Sequence, residues 1–142
     1  MIKKILISVF ALSLLFMLYS CNQKNKPEDL KGIWESTKST YQGKDLNFEK
    51  KEILHFKTDS TIVKKIRFGD QMHTHKGIWF LSEDGNFVTL LFAGTKKSDD
   101  VKVREKGVSW EILELTEDVL YMQASPNKDG VMLHVWYQKK GR

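Results

Sequence analysis

Cysteine occurs once in 142 residues and proline twice. A lone cysteine excludes a disulfide scaffold, and two prolines exclude a proline-rich linker protein. The chain also lacks a nucleotide fingerprint, a phosphate-cradling loop, a nucleophile elbow and a cysteine–histidine pair, so nothing in it reads as an enzyme. After Leu30 no stretch of a dozen residues repeats apolar side chains at helical spacing. A strong charge of one sign is missing too: 23 basic and 18 acidic side chains leave a formal +5. What is present is 41% apolar and 29% charged residues, the balance of a folded chain that is neither disordered nor polytopic in a membrane. The length admits one domain plus a targeting segment.

The targeting segment is at the start. Lys3 and Lys4 precede an apolar run from Ile5 to Tyr19, interrupted only by Ser8 and Ser13. As a helix this run is about 22 Å long, short of the roughly 30 Å hydrocarbon core of a bilayer. It is apolar on every side, unlike an amphipathic core helix, and it has the layout of a secretory signal peptide over residues 1–20. Leu18-Tyr19-Ser20-Cys21 resembles the lipobox of bacterial lipoproteins, and Cys21 is the only cysteine of the chain. The resemblance implies cleavage after Ser20 and lipidation of Cys21, with palmitate-type acyl chains serving as a stable membrane anchor. Asn22 stands where an aspartate would resemble an inner-membrane retention signal. The expected location is therefore the outer membrane, on its periplasmic face, with the cell surface as the alternative. Removing residues 1–20 takes away two lysines and no acids, leaving 21 basic and 18 acidic groups. At a net +3 the mature chain has little to attract nucleic acid. Residues 21–29 read as the lipidated cysteine and a polar tether, and residues 30–142 as the folded domain.

Within that domain, short runs of β-branched and aromatic residues recur between turn residues. Strands are expected near Gly32–Ser36, Lys51–Lys57, Thr61–Phe68, His73–Leu81, Phe87–Phe92, Val101–Arg104, Val108–Leu115, Val119–Ala124 and Val131–Lys139. The turns between them carry Asp-Gly, Gly-Asp and similar pairs, which supply positive φ at little cost. Such a meander removes its exposed edges by closing, so the fold class is all-β: a small antiparallel up-and-down barrel of about eight strands. Alternation places Leu54 and Phe56 on one face. On the His73–Leu81 strand, however, both faces carry aromatics, and Val131–Lys139 is equally ambiguous.

Gly32-Ile33-Trp34 resembles the Gly-x-Trp signature that opens lipocalin barrels. Leu54-His55-Phe56-Lys57-Thr58-Asp59, a second Gly-x-Trp at Gly77-Ile78-Trp79, Leu115-Thr116-Glu117-Asp118-Val119-Leu120 and a closing Trp136-Tyr137 extend the likeness to bacterial lipocalin-like lipoproteins. The chain departs from larger lipocalins in having no paired cysteines and no room for a C-terminal helix. The resemblance implies a barrel and a cavity, but no particular ligand.

Candidate ligand-contacting residues are Trp34, Leu54, Phe56, Trp79, Trp110 and Trp136. The competing reading is that a tryptophan beside a strand-start glycine simply plugs the barrel end. His73 and His75 share a strand face and are weak metal candidates, lacking any identified third ligand; His55, His134 or a carboxylate would have to supply it. Glu111 and Glu114 have no cleft around them to make an acid–base pair. Lys96–Lys106 is densely charged with mixed sign and reads as a solvated edge or loop. No cofactor is implied. Two functions stay open: an anchored barrel binding a small apolar ligand, and a non-enzymatic accessory subunit of an envelope or secretion assembly acting through its outer surface.

Overall fold

A computed structural model of the chain describes residues 24–46, 50–93, 107–124, 130 and 132–141. The expected signal peptide, Cys21, the expected strand Val101–Arg104 and the Lys96–Lys106 segment lie outside the described residues. Among the described residues nine strands are seen: β1 (Gly32–Tyr41), β2 (Lys44–Asp45), β3 (Lys50–Phe56), β4 (Thr61–Phe68), β5 (Gln71–Leu81), β6 (Phe87–Phe92), β7 (Val108–Leu115), β8 (Val119–Ala124) and β9 (Leu133–Lys140). Each pairs antiparallel with its sequence neighbour from β3 to β9, and β9 returns to β1, so eight strands close into the expected up-and-down barrel. The ninth, β2, folds back on the end of β1 through Gln42 and Gly43, both at positive φ. Nothing in the sequence flagged this hairpin, and it lengthens β1 by five residues beyond the expected Gly32–Ser36.

β1 changes partners along its length. Its first four residues pair with β3, Gly32 opposite Phe56 through Glu35 opposite Ile53. A bulge between Ser36 and Lys38 then turns it away from β3; the pairing with β9 continues, and Thr40 and Tyr41 take β2 as their second neighbour. The Glu52 N–H donates instead to the Ser36 hydroxyl, at 2.9 Å. Bulges re-aim side chains in this way.

One end of the barrel is plugged. The segment read as tether folds against it. Pro27–Leu30 forms a single helical turn, α1. The Asp29 carboxylate accepts the Lys26 N–H at 2.8 Å, and proline at the first helical position needs no donor there. Asn25 Nδ2 donates to the Gly85 carbonyl at 2.9 Å. Leu30 is fully buried, and its carbonyl accepts the Trp34 indole N–H at 2.7 Å. A side chain on Gly85, which lies at φ +74°, would strike the Asn25 backbone at 2.6 Å, so glycine lets the two segments meet. Above this plug lies one core of Trp34, Leu54, Phe56, Ile62, Trp79, Val88, Leu90, Ile112, Leu120, Met122, Val135 and Tyr137.

Candidate functional site

The buried core begins at the plug and on β8 continues to Ala124, whose cross-strand partner Leu133 packs against it. Burial decides the faces that alternation left open: on β5, Trp79 is buried while Ile78 and Phe80 are about half exposed, so His73, His75 and Gly77 share the inward side with Trp79. On β9, Val135 and Tyr137 point inward, and His134 and Trp136 point outward.

Toward the end where β3 begins and β4 ends, the inward positions turn polar. Glu52 is one inward step beyond Leu54, Lys64 one step beyond Ile62, Phe92 one step beyond Leu90, and His75 two steps beyond Trp79. The Tyr137 hydroxyl, from the buried core, donates to Glu52 Oε1 at 2.6 Å. Burial first, then the Glu52 charge and the hydrogen bond to it, raise the Tyr137 phenol well above its ordinary value. Lys64 Nζ lies 4.0 Å from Glu52 Oε2 and 5.0 Å from the centre of the Phe92 ring. His75 is the cross-strand partner of Lys64 and meets Phe92 edge-on at 6.5 Å. One step further out, His73 and Phe68 meet edge-on at 5.9 Å, and Phe68, though on the inward face, is 50% exposed. Among the described residues, the inward side chains of β4 and β5 become exposed to solvent toward this end.

The expected ligand residues divide accordingly. Trp34, Leu54, Phe56 and Trp79 are packed into the plugged half. Phe56 and Trp79 meet edge to face at 5.3 Å, and the Trp79 indole donates to the Lys57 carbonyl at 3.3 Å. The Lys139 ammonium lies 4.9 Å from the centre of the Trp34 ring. These tryptophans serve as the floor of the interior. Trp110 is half-buried against the same core. Trp136 is on the outer surface, stacked on Tyr121 at 4.3 Å with Lys38 over its ring, and lines no interior space. The position of Trp136 follows from its parity with Gln138 rather than with Tyr137, which the sequence alone did not orient.

His73 and His75 do share a face, but their suggested companions do not join them. His134 is outside, bonded through Nδ1 to the Tyr121 hydroxyl at 2.8 Å, and His55 lies on the face opposite Leu54 and Phe56. No group of three His, Cys, Asp or Glu side chains is placed to hold a metal among the described residues. Glu111 is engaged by the Gln123 side-chain amide, and Glu114 is exposed beyond a bulge at Ile112/Glu114, so the two do not converge.

Glu52, Lys64 and Phe92 were not singled out in the sequence, and Tyr137 only as part of the closing Trp136-Tyr137 element. A signal was there: Glu52 and Lys64 are charged residues in step with the apolar face of their own strands. A polar groove of about 560 Å³ runs outside the plugged end, between Lys24–Asp29 and the β7–β8 turn. On the outer wall, Ile78, Phe80 and Phe87 are 49%, 51% and 42% exposed and lie on the neighbouring strands β5 and β6.

No protein-family model matches the chain, and no curated protein matches it. Among solved structures it is similar to a lipocalin-like protein from Bacteroides uniformis, with a TM-score of 0.59 at 16% sequence identity, over 79% of this chain and 99% of that one. That likeness establishes the lipocalin-like barrel fold.

Proposed function

We propose that this protein is a lipid-anchored, non-enzymatic cell-envelope protein whose barrel takes up a small ligand through its unplugged end. The observation that carries the reading is the division of the interior: a sealed apolar floor under Trp34 and Trp79, and above it inward-facing Lys64, His75, His73 and Phe68, increasingly open to solvent. An eight-stranded barrel is just wide enough either to be filled by side chains or to hold one small ligand. The lipocalin-like fold supports a binding role.

The anchor rests on the Lys3–Cys21 pattern. Lipidation of Cys21 would leave three residues, reaching about 10 Å, before Lys24 at the plugged end. The bilayer, taken as the outer membrane with the domain on its periplasmic face, would then lie under the plug, and the open end would face away from it. Full-length protein extracted from host membranes and measured by native mass spectrometry tests both parts. The expected result is a diacyl or triacyl mass on Cys21 and a second small mass released on unfolding. An unmodified Cys21 in the membrane fraction would remove the anchor, and a bare folded polypeptide would remove the carrier role.

The exposed Ile78, Phe80 and Phe87 favour a second reading, an accessory subunit held to an envelope partner by this wall. Phe80→Glu should abolish co-purification of such a partner while leaving ligand uptake intact. A partner retained by that variant would count against this surface.

A further inference from the structure

On the anchor reading above, a reach of about 10 Å separates the acylated Cys21 from Lys24. Lys24 and Asn25 lie against the turn between β5 and β6. Asn25 Nδ2 donates to the Gly85 carbonyl at 2.9 Å, and a Cβ on Gly85 would stand 2.6 Å from the Asn25 backbone and 2.9 Å from Lys24 Cγ. An anchored chain would therefore enter the domain at the tip of the β5–β6 hairpin. The outer face of that hairpin is apolar. Ile78 stands opposite Leu91, Phe80 opposite Thr89, and Phe87 is the diagonal neighbour of Phe80 beside the turn. Further from the turn the outward positions become basic. Lys76 is the next outward residue beyond Ile78, Lys65 stands opposite Thr74, and Arg67 opposite Met72. β4, β5 and β6 contain no acidic residue. Lys65, Arg67 and Lys76 are exposed and form no ion pair among the described residues.

We infer that the outer wall of β4–β6 docks on an anionic bilayer, with Ile78, Phe80 and Phe87 below the headgroups and Lys65, Arg67 and Lys76 on lipid phosphates. The plug stays nearest the anchor, and the barrel leans from it onto this wall. Two features select a bilayer as the occupant. The short tether holds the hairpin tip at the membrane surface, so this wall meets the bilayer at high effective concentration, whereas a protein partner would have to be found by diffusion. The wall also combines apolar and cationic side chains without a carboxylate, the composition that lies in the headgroup region of anionic membranes. A second copy laid wall to wall would bring these cations onto strands with no acid to meet them. Glu83 and Asp84, the two acids at the hairpin tip, are matched in number by Lys24 and Lys26 of the tether.

The test uses the protein extracted from host membranes and reconstituted into vesicles of phosphatidylglycerol and phosphatidylcholine that carry nitroxide-labelled lipid. With the Cys21 thiol blocked by its acyl anchor, a second cysteine takes a fluorescent dye: Thr89→Cys in the middle of the wall, or Lys38→Cys on β1 across the barrel. The labelled lipid should quench the dye at position 89 and not the one at position 38. Phe80→Glu should abolish quenching at position 89 while the protein still floats with the vesicles on its anchor. Lys65→Gln and Lys76→Gln should each lower the docked-to-undocked ratio about fivefold, and phosphatidylcholine alone should lower it further. Lys44→Gln, on β2, should change nothing. Equal quenching of the two dyes, or quenching that survives Phe80→Glu in a folded variant, would overturn the inference with the anchor intact and leave the wall to a protein partner. Docking as strong on phosphatidylcholine alone would show that the anionic assignment is wrong. An unmodified Cys21 in the mass spectrum of the same preparation would remove the anchor reading, and the inference with it.

Discussion

Replacing Gly77 by alanine should unfold a large part of this barrel's stability, although the change adds one methyl group. A Cβ built at Gly77 would stand 2.0 Å from the Leu91 carbonyl oxygen, 2.9 Å from its carbon and 3.0 Å from Phe92 Cδ1. Two of these are backbone atoms of the adjacent strand and cannot swing away. Relieving the clash requires β5 and β6 to part by about 1 Å, and hydrogen bonds near 2.9 Å do not survive that stretch. The pairs at risk are Gly77 opposite Phe92 and Ile78 opposite Leu91. Losing two ladder bonds at about 1 kcal/mol each, plus overpacking against Phe92 at about 1–2 kcal/mol, gives a loss of about 3–4 kcal/mol. For a domain of this size that is a fall in Tm of roughly 10–15 °C. Urea and thermal unfolding, followed by tryptophan fluorescence and circular dichroism, measure it directly. Gly43→Ala is the control: that glycine has φ +71° but nothing within 4 Å, so only the backbone cost of about 1 kcal/mol applies. A Gly77→Ala loss no greater than the Gly43→Ala loss would refute the close approach of β5 and β6.

Other perturbations separate the parts of the interior. Trp34→Ala should cost about 3–5 kcal/mol, because it empties a fully buried site and orphans the Leu30 carbonyl, whereas Trp136→Ala on the outer wall should cost about 1 kcal/mol; chemical unfolding of both variants makes the comparison. Tyr137→Phe should lose about 1–3 kcal/mol by leaving the Glu52 carboxylate without its donor. Because the folded-state phenol is raised above its unfolded value near 10, its contribution is complete below about pH 10 and is lost as pH rises beyond it; the phenylalanine variant should lack that alkaline decline when urea midpoints are compared from pH 8 to 11. Glu35 behaves in the opposite sense. Hydrogen bonds from Lys140 and then Lys51 lower its carboxyl, so its contribution is present above about pH 4.3 and is lost as pH falls through the folded value. Glu35→Gln should remove that acid-side slope at a cost of at most about 1 kcal/mol at neutral pH, read from unfolding midpoints between pH 2.5 and 6.

The polar half of the barrel has a physical logic that the packed half lacks. Within a small closed barrel an unpaired charge is costly; here the Glu52 carboxylate receives the Tyr137 hydroxyl and faces the Lys64 ammonium at 4.0 Å. Ser36 takes part indirectly. By receiving the Glu52 N–H where β1 bulges away, it holds the start of β3 in line with the cluster.

Much of this was legible in the order of residues. Period-two alternation between turn residues is a local property of the chain, and it placed seven of the nine observed strands to within two or three residues at most ends. The same alternation put Leu54 and Phe56 on a common face, which proved to be the inner one. The reading of a tryptophan beside a strand-start glycine as a plug fits Trp34, which is fully buried and donates its indole N–H to the Leu30 carbonyl. The apolar run Ile5–Tyr19 and Cys21 are also linear features, and the expectation of a signal peptide and anchor rests on them alone. What tertiary structure alone decided is which face of β5 and β9 turns inward, and therefore that Trp79 belongs to the floor and Trp136 to the outer wall. Both faces of those strands carry aromatics, so local pattern is degenerate there, and only closure of β9 onto β1 breaks the tie. Closure also brings Tyr137 to Glu52 across 85 positions of sequence. A contact of that separation is created by the shear and curvature of eight strands acting together, and no window along the chain contains it.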